Sequence, residues 1–174
     1  MGGGCACSFL QETYTAVRGQ GAWLNSEPIQ VSQRNDLRNA VVATGFPYDK
    51  ATLPILIKQL QTVLSRCQDV RRNGSAALDL CAVARGQMDA YYESVKPWDM
   101  AAGVILIQEA GGQVSDFAGG DNYLFGKNII VGNPAIFIVF NFLNDMWVVT
   151  NHKISPAINT QPCKLDLVGA GSLA

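Results

Sequence analysis

The sequence predicts a layered α/β sandwich with a mixed sheet, and three observations carry that prediction. Short segments with a period of two alternate with longer segments of helical spacing, in the order β–α–β–α–β–α–β. A hairpin pattern precedes them, so the sheet is expected to be mixed rather than wholly parallel. The chain has 174 residues, 48% hydrophobic and only 16% charged, enough for one core-rich domain.

Each element follows from local chemistry. Met1 to Ser8 is small, glycine-rich and without periodicity, and is expected to be a loose end. Thr13 to Val17 has strand composition. Arg18-Gly19-Gln20-Gly21 is a turn, and Ala22-Trp23-Leu24 returns as the second arm of a hairpin. Asn25-Ser26-Glu27-Pro28 is a further turn, before a short strand at Ile29-Gln30-Val31. Asn39 to Thr44 is a continuous apolar run, as in a strand buried on both faces, ended by Gly45-Phe46-Pro47. Leu53 to Ser65 has helical spacing, with Leu53, Ile57, Leu60 and Leu64 on one stripe. Asp69-Val70-Arg71 is a short strand.

Ser75 is placed to cap a helix from about Ala76 to Arg85 that Gly86 stops. Met88, Ala90 and Tyr92 alternate with Asp89, Tyr91 and Glu93, the signature of a strand. A nearly all-apolar helix then opens at Lys96-Pro97-Trp98-Asp99 and ends at Gly111-Gly112. It has no wide polar face, so it is expected to be buried, with Trp98 and Tyr91 as core aromatics. Gln113 to Ser115 and Asn128 to Val131 are strands. The run from Ile129 to Leu143 is too short to span a bilayer and is interrupted by Asn133-Pro134. It reads as a strand, a turn and an apolar segment.

Composition excludes some functions. With 13 basic and 14 acidic residues, no basic run exists to meet a phosphate backbone, so no nucleic-acid or membrane partner is expected. Five cysteines and one histidine, His152, give no zinc-like spacing: Cys5-x-Cys7 lacks the C-x-x-C pattern, and Cys67 and Cys81 read as buried thiols. The odd cysteine count and the lack of a secretory signal point to the cytoplasm. His152 reads as a surface residue, and Glu109, near a helix C-terminus, has no assigned role.

Three segments point to chemistry. Gly74-Ser75-Ala76-Ala77 sets backbone N–H groups at a helix start, where they can bind ligand oxygens. Ser75 also reads simply as an N-cap. Glu93 lies at the carboxyl end of a strand, where ligands bind in open α/β sheets. A solvated strand end is its plainer reading. Asp99 sits in the first helical turn, where the dipole favours an anion. It reads as a metal ligand or as a dipole-compensating acid.

Trp98-Asp99-Met100-Ala101-Ala102-Gly103 with Glu109-Ala110-Gly111-Gly112 resembles the second signature of the inositol monophosphatase family. Gly74 to Leu80 with Asp89 to Glu93, Gly19 to Asn25, and Ala43 to Pro47 resemble neighbouring family segments. The resemblance covers roughly Glu12 to Ile136. It implies the C-terminal half of the inositol monophosphatase (sugar phosphatase) fold and a Mg²⁺-dependent phosphomonoesterase lineage acting on a small polyol, sugar or nucleotide phosphate. Carried over by position, Asp99 matches a metal-ligating aspartate and Glu93 an acid that binds substrate hydroxyls. Gly74, Ser75 and Ala76 match the backbone lining the substrate pocket. No residue is assigned as the catalytic group.

The family's first signature, Asp-Pro-(Ile/Leu)-Asp-Gly-Thr, supplies most metal ligands there. This sequence contains no Asp-Pro and no Asp-Gly. The expectation is therefore a half-site, inactive or incomplete on its own, with a homodimer mate or a complementary N-terminal half as partner. The alternatives are a non-catalytic binding or dimerisation module and a truncated gene product. The expected organisation is a divergent segment at 1–11, the family-like domain at 12–137 and a divergent tail at 138–174.

Overall fold

The computed structural model describes residues 2–8, 10–46 and 50–142. Pro47, His152, Cys163 and most of the 138–174 tail lie outside them. The chain forms β1 (Gly2–Cys7), β2 (Glu12–Val17), β3 (Gly21–Leu24), β4 (Glu27–Ile29), β5 (Val41–Thr44), α1 (Leu53–Leu64), β6 (Asp69–Arg71), α2 (Ala76–Ala84), β7 (Ala90–Glu93), α3 (Pro97–Glu109), β8 (Gln113–Ser115), α4 (Tyr123–Gly126), β9 (Ile129–Gly132) and α5 (Pro134–Phe142).

The strands make two sheets, where one was expected. The hairpin strands form an antiparallel sheet in the order β1-β2-β3-β4, and the rest form a five-stranded sheet in the order β6-β5-β7-β9-β8. The second sheet is mixed for its own reason: β6, β5 and β7 run parallel, and β9 is antiparallel to both β7 and β8. Helices α2 and α3 fill the space between the sheets, with Leu80, Met100, Leu106 and Ile107 packed between Tyr14 and Ala16 on one side and Tyr91 and Val131 on the other. Val63 of α1 and Ile136, Phe137 and Phe140 of α5 cover the far face of the mixed sheet. The result is a four-layer β-α-β-α stack.

Several local expectations are corrected. Gly2 to Cys7 is not a loose end: it is a full strand, paired with β2 from Gly2 opposite Val17 to Cys7 opposite Glu12. Its glycines permit this, because a Cβ on Gly3 would lie 3.1 Å from the Ala102 backbone of α3. The strand after the hairpin begins two residues earlier than expected, because Asn25 and Ser26 alone take positive φ and make the turn. On α1 the buried residues are Leu56, Gln59 and Val63, while Leu53, Ile57 and Leu64 of the expected stripe are exposed. That helix is apolar on more than one side, and the sheet selects the other one. Trp98 is 79% exposed, whereas Tyr91 is core. The apolar segment after Pro134 is a helix. Among the described residues no helix is long and apolar enough to cross a membrane.

Candidate active site

The parallel strands determine where the site lies. β6, β5 and β7 all end on the same edge of the mixed sheet, and the chain after β6 and after β7 turns straight into α2 and α3. Two helix N-termini, each partly positive, therefore face the carboxyl ends of three strands. A crevice of about 270 Å³ opens there. Gly74, Ser75, Ala76, Glu93 and Asp99, the residues nominated from sequence, all line it.

Their local bonding is specific. Gly74 turns the chain with φ +87°, a conformation that favours glycine. Ser75 is the N-cap of α2, its hydroxyl accepting from Leu78 N at 3.5 Å. Asp99 is in the first turn of α3, and its Oδ2 accepts from Lys96 N at 3.1 Å. Glu93 is half-buried and accepts the Tyr91 hydroxyl at 2.7 Å. Burial pushes the Glu93 carboxyl up, against the opposing pull of the Tyr91 hydrogen bond and the Arg72 charge. Burial also drives the Tyr91 phenol far up, with the Glu93 charge adding to it, so Tyr91 stays a hydrogen donor to Glu93.

Five further lining residues, Gly45, Phe46, Arg72, Asp79 and Val95, were not nominated from sequence. Phe46, just after β5, and Arg72, just after β6, line the crevice. Asp79, one turn into α2, lines it too and is 1% exposed. Its Oδ1 accepts from Asn73 Nδ2 at 2.7 Å, which ties the Gly74 turn to α2. Burial raises its pKa to about 6, against the lowering by Asn73. Phe46 and Arg72 gave no signal in a single sequence. Asp79 did, as an acid inside an otherwise apolar helix. A wider hollow of about 440 Å³, between Leu37, Arg38, Arg66 and Val139, lies elsewhere and holds none of the nominated residues.

Chemically the crevice offers carboxylate acceptors for hydroxyl groups, one guanidinium, and helix N-termini for an anion. Mg²⁺ requires several hard oxygen donors in near-octahedral array. Asp99 has the right donor type. Among the described residues no three His, Cys, Asp or Glu side chains are grouped to hold a metal. Asp99 thus fits as one ligand, and the described residues do not complete a shell.

Comparison with known proteins gives the family and the fold. The model of the inositol monophosphatase family matches residues 2–144. Nus factor SuhB of Escherichia coli K12 is 47% identical over 127 residues, which is 72% of this chain and 48% of that protein. The chain thus spans about half the length of the curated relatives it matches. A crystal structure of the extragenic suppressor protein suhB from Bartonella henselae superposes with TM-score 0.79 at 37% identity, covering 86% of this chain and 57% of that one. The inositol monophosphatase of Anabaena superposes with TM-score 0.74 at 37% identity, over 77% of this chain and 55% of that one.

Proposed function

Because the chain belongs to the inositol monophosphatase family, we propose that it carries the substrate-side half of a Mg²⁺-dependent phosphomonoesterase site, for a small polyol, sugar or nucleotide phosphate. One observation carries this reading: Asp99 and Glu93 share a crevice onto which the N-termini of α2 and α3 open. In it, Glu93 accepts substrate hydroxyls, held in place by the Tyr91 hydroxyl. The α2 backbone at Ser75 and Ala76 donates to substrate oxygens, and the positive ends of both helices favour the phosphate. Asp99 holds Mg²⁺ as one ligand among several. The bound ion would supply charge neutralisation and an activated water. The remaining ligands are assigned to a complementary half bearing the Asp-Pro-(Ile/Leu)-Asp-Gly-Thr signature, and a cytoplasmic location and a homodimer belong to the same proposal.

The test is phosphate release with Mg²⁺ from the chain alone and from the chain mixed with a fragment bearing that signature, each against Asp99→Asn. Release that rises with the fragment and falls by roughly a hundredfold in Asp99→Asn supports the reading. Equal release by both chains removes Asp99 from the chemistry. No release in either mixture, with no binding of a polyol phosphate, removes the reading altogether.

The name of the relatives favours a second reading. Proteins 47% identical to this chain are called Nus factors, a name that does not describe hydrolysis. On that reading the fold serves as a non-catalytic binding module, and its partners, nucleic acid included, are found by binding rather than turnover.

A further inference from the structure

The Cys5-x-Cys7 pair, set aside as a metal motif, acquires meaning from the position of β1. Residues of β1 alternate between exposed and half-buried, and the inward set is Gly3, Cys5 and Cys7. Gly3 presses against Ala102 of α3. Cys5, two residues on and on the same face, packs against the core cluster that contains Cys81 of α2. β1 packs directly on α2, so the two thiols face the same interior layer. Both are free. Cys81 is 1% exposed, while Cys5 is only half-buried on an edge strand.

We propose that Cys5 and Cys81 form an oxidative modification site, in which a peroxide converts the thiol pair into a disulfide that staples β1 to α2. The asymmetry of exposure sets the order of events. The accessible Cys5 thiolate attacks the peroxide oxygen, the O–O bond breaks, and Cys5 becomes a sulfenic acid while hydroxide or alkoxide leaves. The Cys81 sulfur then attacks the Cys5 sulfur, displacing the sulfenic oxygen as water once the Cys81 proton has moved to it. With hydrogen peroxide, two thiols and one peroxide give one disulfide and two waters. Burial pushes the Cys81 thiol up, so Cys81 is not the thiol that meets the oxidant, and its place beside Cys5 in the core is what makes it the resolving partner.

The consequence is mechanical. Among the described strands β1 is at the edge of its sheet, and such a strand pairs with other chains more readily than a central one. The disulfide ties it to α2, whose first turn borders the crevice. This inference rests on β1 and α2 alone and is independent of phosphatase activity.

The experiment uses the full chain carrying Cys7→Ser, Cys67→Ser and Cys163→Ser, treated with hydrogen peroxide and then mapped by mass spectrometry without reduction. The expected result is a monomer that loses two hydrogens and both free thiols, with one peptide pair joined through Cys5 and Cys81. Amide exchange along β1 slows on the order of tenfold, and reductant reverses it. The same map on the unsubstituted chain decides the matter if the triple variant does not fold. Cys5 oxidised to sulfinic or sulfonic acid with Cys81 still alkylatable after unfolding, a Cys5 to Cys7 bridge in the unsubstituted chain, or bridges only between chains would overturn the proposal.

Discussion

The carboxylate of Glu93 lies over the α-carbon of Gly45: a methyl group on Gly45 would stand 2.1 Å from Glu93 Oε2 and 2.3 Å from its Oε1. The parallel pairing of β5 with β7, Thr44 beside Tyr92, brings these two strand ends together. Gly45→Ala therefore forces the Glu93 side chain aside and breaks its bond from Tyr91. A carboxylate at the end of a flexible chain can move, so the stability cost stays near 1 kcal/mol. Binding of a polyol phosphate should fall as far as in Glu93→Ala, and the double variant should bind no worse than either single one. Additive losses in titration calorimetry would separate the two residues.

Gly103 shows the opposite case. A Cβ there would lie 2.5 Å from Leu80 Cδ1 and 2.7 Å from Leu80 Cβ, and the β-carbon of a buried helical leucine has nowhere to go. Alanine is the better helix former by about 1 kcal/mol, yet Gly103→Ala should destabilise by about 2–3 kcal/mol because α2 and α3 must separate. Leu80→Ala removes the Cδ1 clash but keeps the Cβ one, so in urea unfolding the double variant should lose less than the sum of the two single losses while staying below Gly103→Ala.

Glu109, left without a role by the sequence, has one. Its two carboxylate oxygens accept from Gly19 N and Gly21 N, each at 2.9 Å, so the end of α3 holds the β2–β3 turn. These bonds lower its pKa. What they contribute is present above the usual carboxylate range and is lost as pH falls through the lowered value. Glu109→Gln keeps one acceptor oxygen and loses the other. Hydrogen exchange at Gly19 or Gly21 should speed up in that variant while the core amides of α3 stay unchanged.

These residues mark what a single sequence shows. Asp99 and Ser75 were legible because helix caps are local: the bonds that define them, accepted from Lys96 N and from Leu78 N, span three residues. The order of elements was legible for the same reason. The split into two sheets was not, because it depends on which strands pair, and nothing in Ile29 or Val41 says that the chain changes sheets between them. The face of α1 was misread because Leu53, Ile57 and Leu64 compete with Leu56 and Val63 for the core at equally good spacing. Gly45, Phe46 and Arg72 join the crevice only through the parallel pairing of β5 with its neighbours. Glu109 needed a turn 90 positions away.

Asp79 makes stability depend on pH. Its pKa rises from 3.8 to about 6 on folding, so the folded state binds the proton more tightly than the unfolded one. The stabilisation by the proton is full below pH 3.8 and is lost as pH rises to about 6. Above that a buried charge remains, balanced in part by Asn73. Asp79→Asn keeps an oxygen for the Asn73 amide and carries no charge. It should be more stable than the natural chain by on the order of 2 kcal/mol at pH 7.5, with the difference vanishing near pH 4. Urea unfolding at the two pH values measures it, and an equal difference at both would remove Asp79 as the cause.

The buried acid Asp89 is the reverse of Asp79, because its oxygens are well supplied. Asp89 is 3% exposed and accepts from Ser32 Oγ at 2.5 Å, Arg34 Nε at 3.1 Å and Val41 N at 2.8 Å. Ser32 in turn accepts from Asn133 Nδ2 at 2.7 Å. One carboxylate thus joins the segment after β4, the start of β5, the start of β7 and the entry to α5. Removing it leaves the Val41 N–H without its acceptor and opens a gap where Asp89 was buried, so Asp89→Ala should cost about 2–3 kcal/mol. Asp89→Asn keeps an acceptor for Val41 but loses the charge that faces Arg34. With Arg34 45% exposed, water replaces most of that loss, and Asp89→Asn should fall well short of the alanine variant. Equal costs in the two would show that the ion pair, and not the backbone acceptor, holds this junction.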